Sequence, residues 1–428
     1  MKISILLILL FFAGCYAENE KNNSHKALMM HSQSDTKSKL SFACSHEKFP
    51  IPNDYSDLLF KYARWLQINN QLVRDSKVNA EIERLYRIAA EHGHYKANIN
   101  LQNGTRLGMF KLNGKEHLRL SQDLIEAGVA TGYYLIGTFL QRGYAGLAED
   151  PEMALKYLRM AADRGNAEAQ EYVGKKLVRS PVAWDIGWKM RQCAAEQGVG
   201  KAALALGMYY KTVKKYNEAA KNLQLGIGAG DETSAGIMRD VFSGPIPADV
   251  LSYLGQRKDL DRADRYNQIW SILADYSYAN PKVPEINEIV PLPPAPLPEW
   301  DGKLQWLEGR LANIPPEKPT EELIKRLADE KKLEPATGKP MPGAAGFDQS
   351  RFPVKSCFSG QVCPQTGYWK AMWLPHEVRG MLHSEVIRHV KEGEIMPTHL
   401  AERYFVRSWP FSDKHTVTEE RVHWGLLG

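Results

Sequence analysis

Excess charge of one sign is what this sequence has least of. Its 428 residues carry 55 Lys and Arg against 50 Asp and Glu, a formal net charge of +5. No basic stripe is interleaved with aromatics, so nucleic acid is not an expected partner. Catalytic signatures are absent too. There is no Gly-x-Ser-x-Gly elbow and no phosphate-cradling loop. His376-Glu377 with His383 is the nearest approach to a metalloprotease helix, but that helix needs its second His at position 380, which is Gly380. The expectation is therefore a non-enzyme with no cofactor and no metal. Only an active site assembled from distant residues is left open.

Cysteine is scarce, with five in the whole chain. Cys357 and Cys363 lie six apart in a turn-rich stretch and are the expected disulfide, a closure adding roughly 2 kcal/mol. A metal site with His376 and His383 is the alternative, although the spacing fits no standard zinc pattern. Cys193 sits on an apolar helical face and is expected as a buried thiol. The state of Cys44 stays open.

What the chain does have is repetition. Residues 150–174 read as a helix, a tight turn and the start of a second helix. Asp150 is a good N-cap, Pro151 fits the first helical position, and Ala154, Leu155, Leu158, Ala161 and Ala162 recur at helical spacing. Gly165 then supplies a left-handed stop. Equivalent glycines stand at 93, 128, 165, 198 and 230, intervals of 35, 37, 33 and 32 residues. Four residues after each comes a small residue (Ala97, Gly132, Ala169, Ala202, Ser234), and eight after comes an apolar one (Leu101, Ile136, Val173, Leu206, Met238). Gly137, Gly174 and Gly207 follow three of these. Small residues at the fourth position let the two helices of a hairpin cross closely. One hairpin cannot bury its apolar face, so the copies must stack.

The pattern Ala-Ala-x-x-Gly-x-x-x-Ala followed by Leu-Gly resembles the Sel-one-like repeat, a relative of the tetratricopeptide repeat, over roughly residues 80–245. The resemblance implies a right-handed α-solenoid that binds other proteins. On the second helix of each hairpin, Tyr133, Gln170, Lys176 and Tyr209 point partly outward and are the candidate partner contacts. For either tyrosine taken alone, packing between adjacent hairpins is the favoured reading.

In chain order, residues 1–17 pair a positive start with a short apolar run and read as a secretory signal. Phe12-Ala13-Gly14-Cys15 resembles a bacterial lipobox, which implies a lipid on Cys15; cleavage after Ala17 is the alternative. Tyr16 after the cysteine implies the outer membrane under that family's sorting rule. Residues 18–50 are polar and unpatterned, a flexible tether. The solenoid occupies 51–280, with a last helix near 259–279 whose Ala263, Tyr266, Ile269, Trp270 and Leu273 share a face. A proline-dense strap and two short helices, near 301–313 and 319–333, fill 281–339. Proline at that density excludes helix and sheet from the strap.

Residues 340–428 form a small α+β module of short strands with one helical piece near 377–391. Its Cys363-Pro-x-x-Gly367-x-Trp369 and Gly393-x-x-Met396-Pro397 resemble modules from type VI secretion toxin and immunity loci. The fold class is thus mainly α: an αα-hairpin repeat solenoid with a C-terminal α+β module. The combination is similar to immunity proteins of type VI secretion effectors. It implies a periplasmic, lipid-anchored protein that binds a secreted antibacterial effector of the lipase class. An envelope scaffold using the same repeat surface is the alternative.

Overall fold

The computed structural model describes residues 40–247, 252–341, 344, 356–372, 380–382, 387–405 and 414–426. Cys15, His376 and His383 lie outside the described residues. The described chain divides into two compact units. The first comprises Glu47–Asn166, Ile272–Val283 and the described residues from Trp300 on; the second comprises the described residues up to His46, Ala167–Ser271 and Pro284–Glu299. This division falls inside the expected solenoid over 51–280, while residues on both sides of 340 belong to the first unit.

Helices of the first unit are α1 (Asp54–Asn70), α2 (Ser76–Glu91), α3 (Tyr95–Arg106), α4 (Gly114–Glu126), α5 (Thr131–Leu140) and α6 (Pro151–Asp163). The second unit holds α7 (Ala167–Leu177), α8 (Trp184–Glu196), α9 (Gly200–Thr212), α10 (Tyr216–Gly228) and α11 (Glu232–Phe242), followed by most of α12 (Leu260–Asp275) and α13 (Ile286–Ile289). All five turn glycines take positive φ, from 76° at Gly128 to 101° at Gly165. That is the backbone state a Cβ disfavours, so the glycine spacing sets the hairpin spacing. Asp150 caps α6 as expected, its Oδ1 accepting from Met153 N at 2.9 Å. Leu155 does not join that helix's buried face and is 40% exposed; Met153 and Tyr157 are buried there with Ala154, Leu158, Ala161 and Ala162. Its step from Ala154 turns it away from the stripe.

Close crossings account for the small residues. A Cβ on Gly132 would stand 2.5 Å from Ser121 O and 2.9 Å from Ile125 N, both backbone atoms of α4. Neither can retreat without separating the hairpin. Gly132→Ala should therefore destabilise the chain by roughly 1–3 kcal/mol, as overpacking does. A urea midpoint equal to wild type would refute this. In the last hairpin a Cβ on Gly226 would lie 2.5 Å from Ser234 Oγ. Glycine on one helix thus makes room for the serine on the other. The glycines that follow the apolar position serve the next contact: a Cβ at Gly137 would meet Leu158 of α6, and one at Gly207 would meet Leu223 of α10, both at 2.8 Å.

The proline-dense strap is not free of helix, since α13 forms one turn within it. Val290 and Ile286 are buried, and the strap's carbonyls are taken by side chains of the second unit. Gln224 Nε2 donates to Val290 O at 2.6 Å, and Arg262 and Arg265 donate to Pro291 O, Ala295 O, Ile289 O and Pro298 O. Proline carbonyls have no ladder to join, so guanidinium groups satisfy them instead. Trp270, expected on the buried face of α12, is 38% exposed and lies against Gly236 and Arg239.

In the first unit, α14 (Gln305–Ala312) and α15 (Glu321–Glu330) follow, the latter capped by Thr320 Oγ1 on Leu323 N at 3.2 Å. Ile324, Leu327, Ala328 and Leu333 join the core of α1–α3 around Leu59, Leu85, Tyr86 and Phe110. A second core gathers Leu135, Phe139, Leu140 and Tyr157.

The C-terminal module is built of strands: β1 (Ser356–Phe358), β2 (Gly367–Met372), β3 (Gly380–Leu382), β4 (Ile387–Val390), β5 (His399–Phe405), β6 (Lys414–Glu420) and β7 (His423–Leu426). They form an antiparallel sheet of order β1-β7-β2-β4 and a second of order β3-β5-β6. The helical piece expected near 377–391 is not formed among the described residues, where β3 and β4 stand instead. Ile387–Val390 pairs with Gly367–Lys370, and that ladder overrides local helical spacing.

Candidate functional site

The Cys-Pro and Met-Pro signatures are one structural feature. Gly360 N donates to Met396 O and Met396 N to Gln361 O, both at 2.8 Å, while Cys363 N reaches Glu394 O at 2.7 Å. The two turns are zipped together over a core of Cys357, Cys363, Trp369, Val390, Met396, Val422 and Trp424. The disulfide expected between Cys357 and Cys363 is not formed; both are buried thiols. Each sulfur has its own polar neighbours, Val362 O and Gln361 Oε1 at 3.5 Å from Cys357, and Gln365 O at 3.1 Å from Cys363. Burial and then the adjacent Cys363 push the Cys357 thiol up, away from the reactive thiolate.

The disulfide joins Cys44 to Cys193, 149 residues apart. Cys193 is thus buried, as its apolar face implies, but it is not a thiol. His46 stands beside the bridge, and the three donors are close enough to hold a metal ion only if both sulfurs were thiolates.

Gln170 does not face a partner. It is 0% exposed, donating Nε2 to Ser45 O at 2.9 Å and accepting from Gln197 at 2.8 Å, so it grips the chain's own segment beside the bridge. Tyr133 is half-buried beneath the Arg164 guanidinium, 4.6 Å from its ring centre. Tyr209 stacks on Trp188 at 4.2 Å. Lys176 is exposed and lies over Tyr172. Tyr133 therefore packs between hairpins, one of the two placements the sequence allows, whereas Tyr209 packs within its own hairpin, against α8.

In the first unit the same segment continues as a cap. Helix α5 has no capping side chain of its own. The Glu47 carboxylate fills that role, accepting from Thr131 N, from Thr131 Oγ1 at 2.9 Å and from Asn166 Nδ2 at 3.2 Å. Burial raises its pKa, against the lowering effect of these hydrogen bonds. Phe49 stacks on Tyr95, with ring centres 4.5 Å apart.

A buried polar network stands between α3, α4 and the turn that follows α5. His117 Nδ1 lies 3.2 Å from Gln102 Oε1 and Nε2 lies 3.1 Å from the Tyr144 hydroxyl. Burial pushes the His117 pKa down to about 4, Glu116 opposing and Arg106 reinforcing the shift. The folded pKa lies below the ordinary imidazole value of 6.5, so the unfolded chain binds the proton first. Stability conferred by neutral His117 is whole above about pH 6.5 and is lost as the pH falls toward 4, by about 3 kcal/mol. Urea midpoints measured across that window should fall in wild type and flatten in His117→Gln. Equal slopes would refute the assignment.

One cleft in the first unit, of 1120 Å³, is walled by α1, α2, α3, the turn at 107–109, Tyr278 and the turn at 336–339. Its wall carries an amide network. Arg64 Nη1 and the Tyr86 hydroxyl both donate to Gln67 Oε1, at 2.7 and 2.9 Å, and Asn100 Nδ2 donates to Tyr86 at 3.2 Å. Burial pushes the Tyr86 phenol up to about 12, so it remains a donor. Asn70 brackets Asp75 by bonds to its N and O, both 2.9 Å, holding Arg74 in a left-handed turn with φ 56°. Sequence reasoning did not select these residues. A signal was available in the crowding of amides at Gln67, Asn69, Asn70 and Gln71 and again at Asn98, Asn100, Gln102 and Asn103.

The repeats have counterparts among solved structures. Two immunity proteins from Pseudomonas aeruginosa are similar to this chain. One is 28% identical, with 60% of this chain and 95% of that one covered and a TM-score of 0.47. The other is 25% identical, with 60% and 96% covered and a TM-score of 0.45. A Sel1 repeat protein from Oxalobacter formigenes is 18% identical over 51% of this chain and 97% of its own length, with a TM-score of 0.36. Residues 234–341 match a family model described as a domain of unknown function, DUF6396. No curated protein matches the chain.

Proposed function

We propose that this chain is an exported immunity protein, which binds a secreted antibacterial effector of the phospholipase class and neutralises it by occupancy. The observation that carries the reading is the hairpin array itself. Left-handed glycines end the first helix of each repeat and glycine crossings join successive hairpins within each unit, which yields preformed helical surfaces of the kind that engage proteins. Preformed surfaces lose little entropy on association, as a tight stoichiometric inhibitor requires. The signal-like residues 1–17, with Cys15 in a lipobox-like setting, support a periplasmic location and an outer-membrane lipid anchor. The Cys-Pro and Met-Pro signatures support the toxin-immunity setting through their resemblance.

The test is a pull-down of tagged residues 16–428 from the periplasm of the native host. A secreted lipase in near-equal amount is the expected result. Resident envelope proteins alone, in a strain that makes such a toxin, would sink the reading and leave the scaffold. A lipid mass on Cys15 in the full-length product would support the anchor, and cleavage after Ala17 would remove it.

A further inference from the structure

The cleft of the first unit has a charge and hydrogen-bonding imbalance that the fold does not use. Arg64, Arg74, Lys77, Lys111 and Lys339 all line it, and all but the half-buried Arg64 are exposed. None of the five forms an ion pair with a carboxylate among the described residues. The two acidic residues on the same wall are already engaged: Glu81 pairs with Arg84 at 3.2 Å, and Glu83 pairs with Arg87 at 2.9 Å. Beside the cations, Gln71 Oε1 is buried with no hydrogen-bond partner among the described residues. Unmet buried acceptors are uncommon and costly, so the position calls for a donor. Its neighbour Arg74 is held at φ 56° by the Asn70 bracket, a strained setting that fixes where the loop carries its charge.

From these observations, and resting on the partner-binding reading above, we propose that the cleft receives an extended acidic segment of the partner protein. Five cations without counter-charges call for carboxylates. The amides of Gln67, Gln71, Asn79, Asn100 and Asn103 offer both donors and acceptors, the complement of a peptide backbone. A phosphodiester group offers acceptors only and would leave Gln71 Oε1 unmet. The volume of 1120 Å³ exceeds the roughly 300–1,000 Å³ of ordinary small-molecule sites and suits a stretch of chain.

The experiment uses residues 16–428 and a fluorescein-labelled Glu-Gly repeat peptide, followed by anisotropy. The expected result is saturable binding that weakens as ionic strength rises, with no binding of a Lys-Gly peptide. The exposed-charge variant Lys111→Gln/Lys339→Gln should bind about tenfold more weakly. Gln71→Ala should also weaken binding, although it alters no charge. Absence of peptide binding, or equal affinity in the double variant, overturns the proposal. So does displacement of the peptide by inorganic phosphate or by phosphatidylglycerol vesicles, which would assign the cleft to phosphate or membrane instead. Repeating the periplasmic pull-down with the double variant separates the two levels. A partner retained undiminished refutes the cleft and leaves the binding reading intact, whereas no partner with either chain refutes that reading.

Discussion

Replacing Cys44 by Ser lowers the unfolding free energy by up to about 5 kcal/mol, the chain-entropy value for a closure of this length. The bridge spans 149 residues, so its loss restores a large volume of conformations to the unfolded chain. Cys44 is the better partner to change because it is exposed, whereas a hydroxyl at Cys193 would be buried at 1% exposure and add a separate penalty. The local consequence follows from what the bridge holds. Ser45 O keeps its bonds from Gln170 and Gln197 only while the segment stays in place, and without it the buried Gln170 amide and the half-buried Gln197 amide lose an acceptor. Urea unfolding with and without reductant tests the claim. Wild type under reductant should match Cys44→Ser without it. Coincident curves for oxidised and reduced wild type would show that the bridge is not formed or does not matter.

Trp424→Ala removes the centre of the strand module and should cost about 3–5 kcal/mol. The side chain is 0% exposed and sits in β7 opposite both Cys357 of β1 and Ala371 of β2. Its indole N–H donates to Pro397 O at 2.7 Å and to Ser359 Oγ at 3.2 Å, which ties the Met-Pro turn to the sheet. Trp424→Phe retains most of the ring and loses only that donor, so it should cost about 1–2 kcal/mol. Helical ellipticity should change little in either variant, because the hairpin cores contain no residue of the module. A Phe variant as damaged as the Ala variant would place the value of Trp424 in the hydrogen bond and not in its volume.

The hairpins were legible because their determinants are local. A glycine that must go left-handed, a small residue four later and an apolar residue eight later all act within one hairpin, and all five sets behave alike. The same locality explains the caps at Asp150 and Thr320. Errors arose where a neighbour decides the outcome. Leu155 and Trp270 have the composition of core residues, but they stay 40% and 38% exposed. Residues 387–390 lie in a stretch with helical spacing and become a strand because β2 offers them a ladder. Cys357 and Cys363 are six apart in sequence, yet each turns its sulfur to different backbone carbonyls.

Repeat period, turn positions and helix caps are properties of short windows, and the sequence alone determined them. Disulfide choice, the burial of Gln170 and the cation-lined cleft required tertiary structure. Cys44 finds Cys193 across 149 residues, and the cleft draws on α1, α2, α3 and the turn at 336–339. Such contacts depend on how stacked elements meet in space, and no local spacing encodes them.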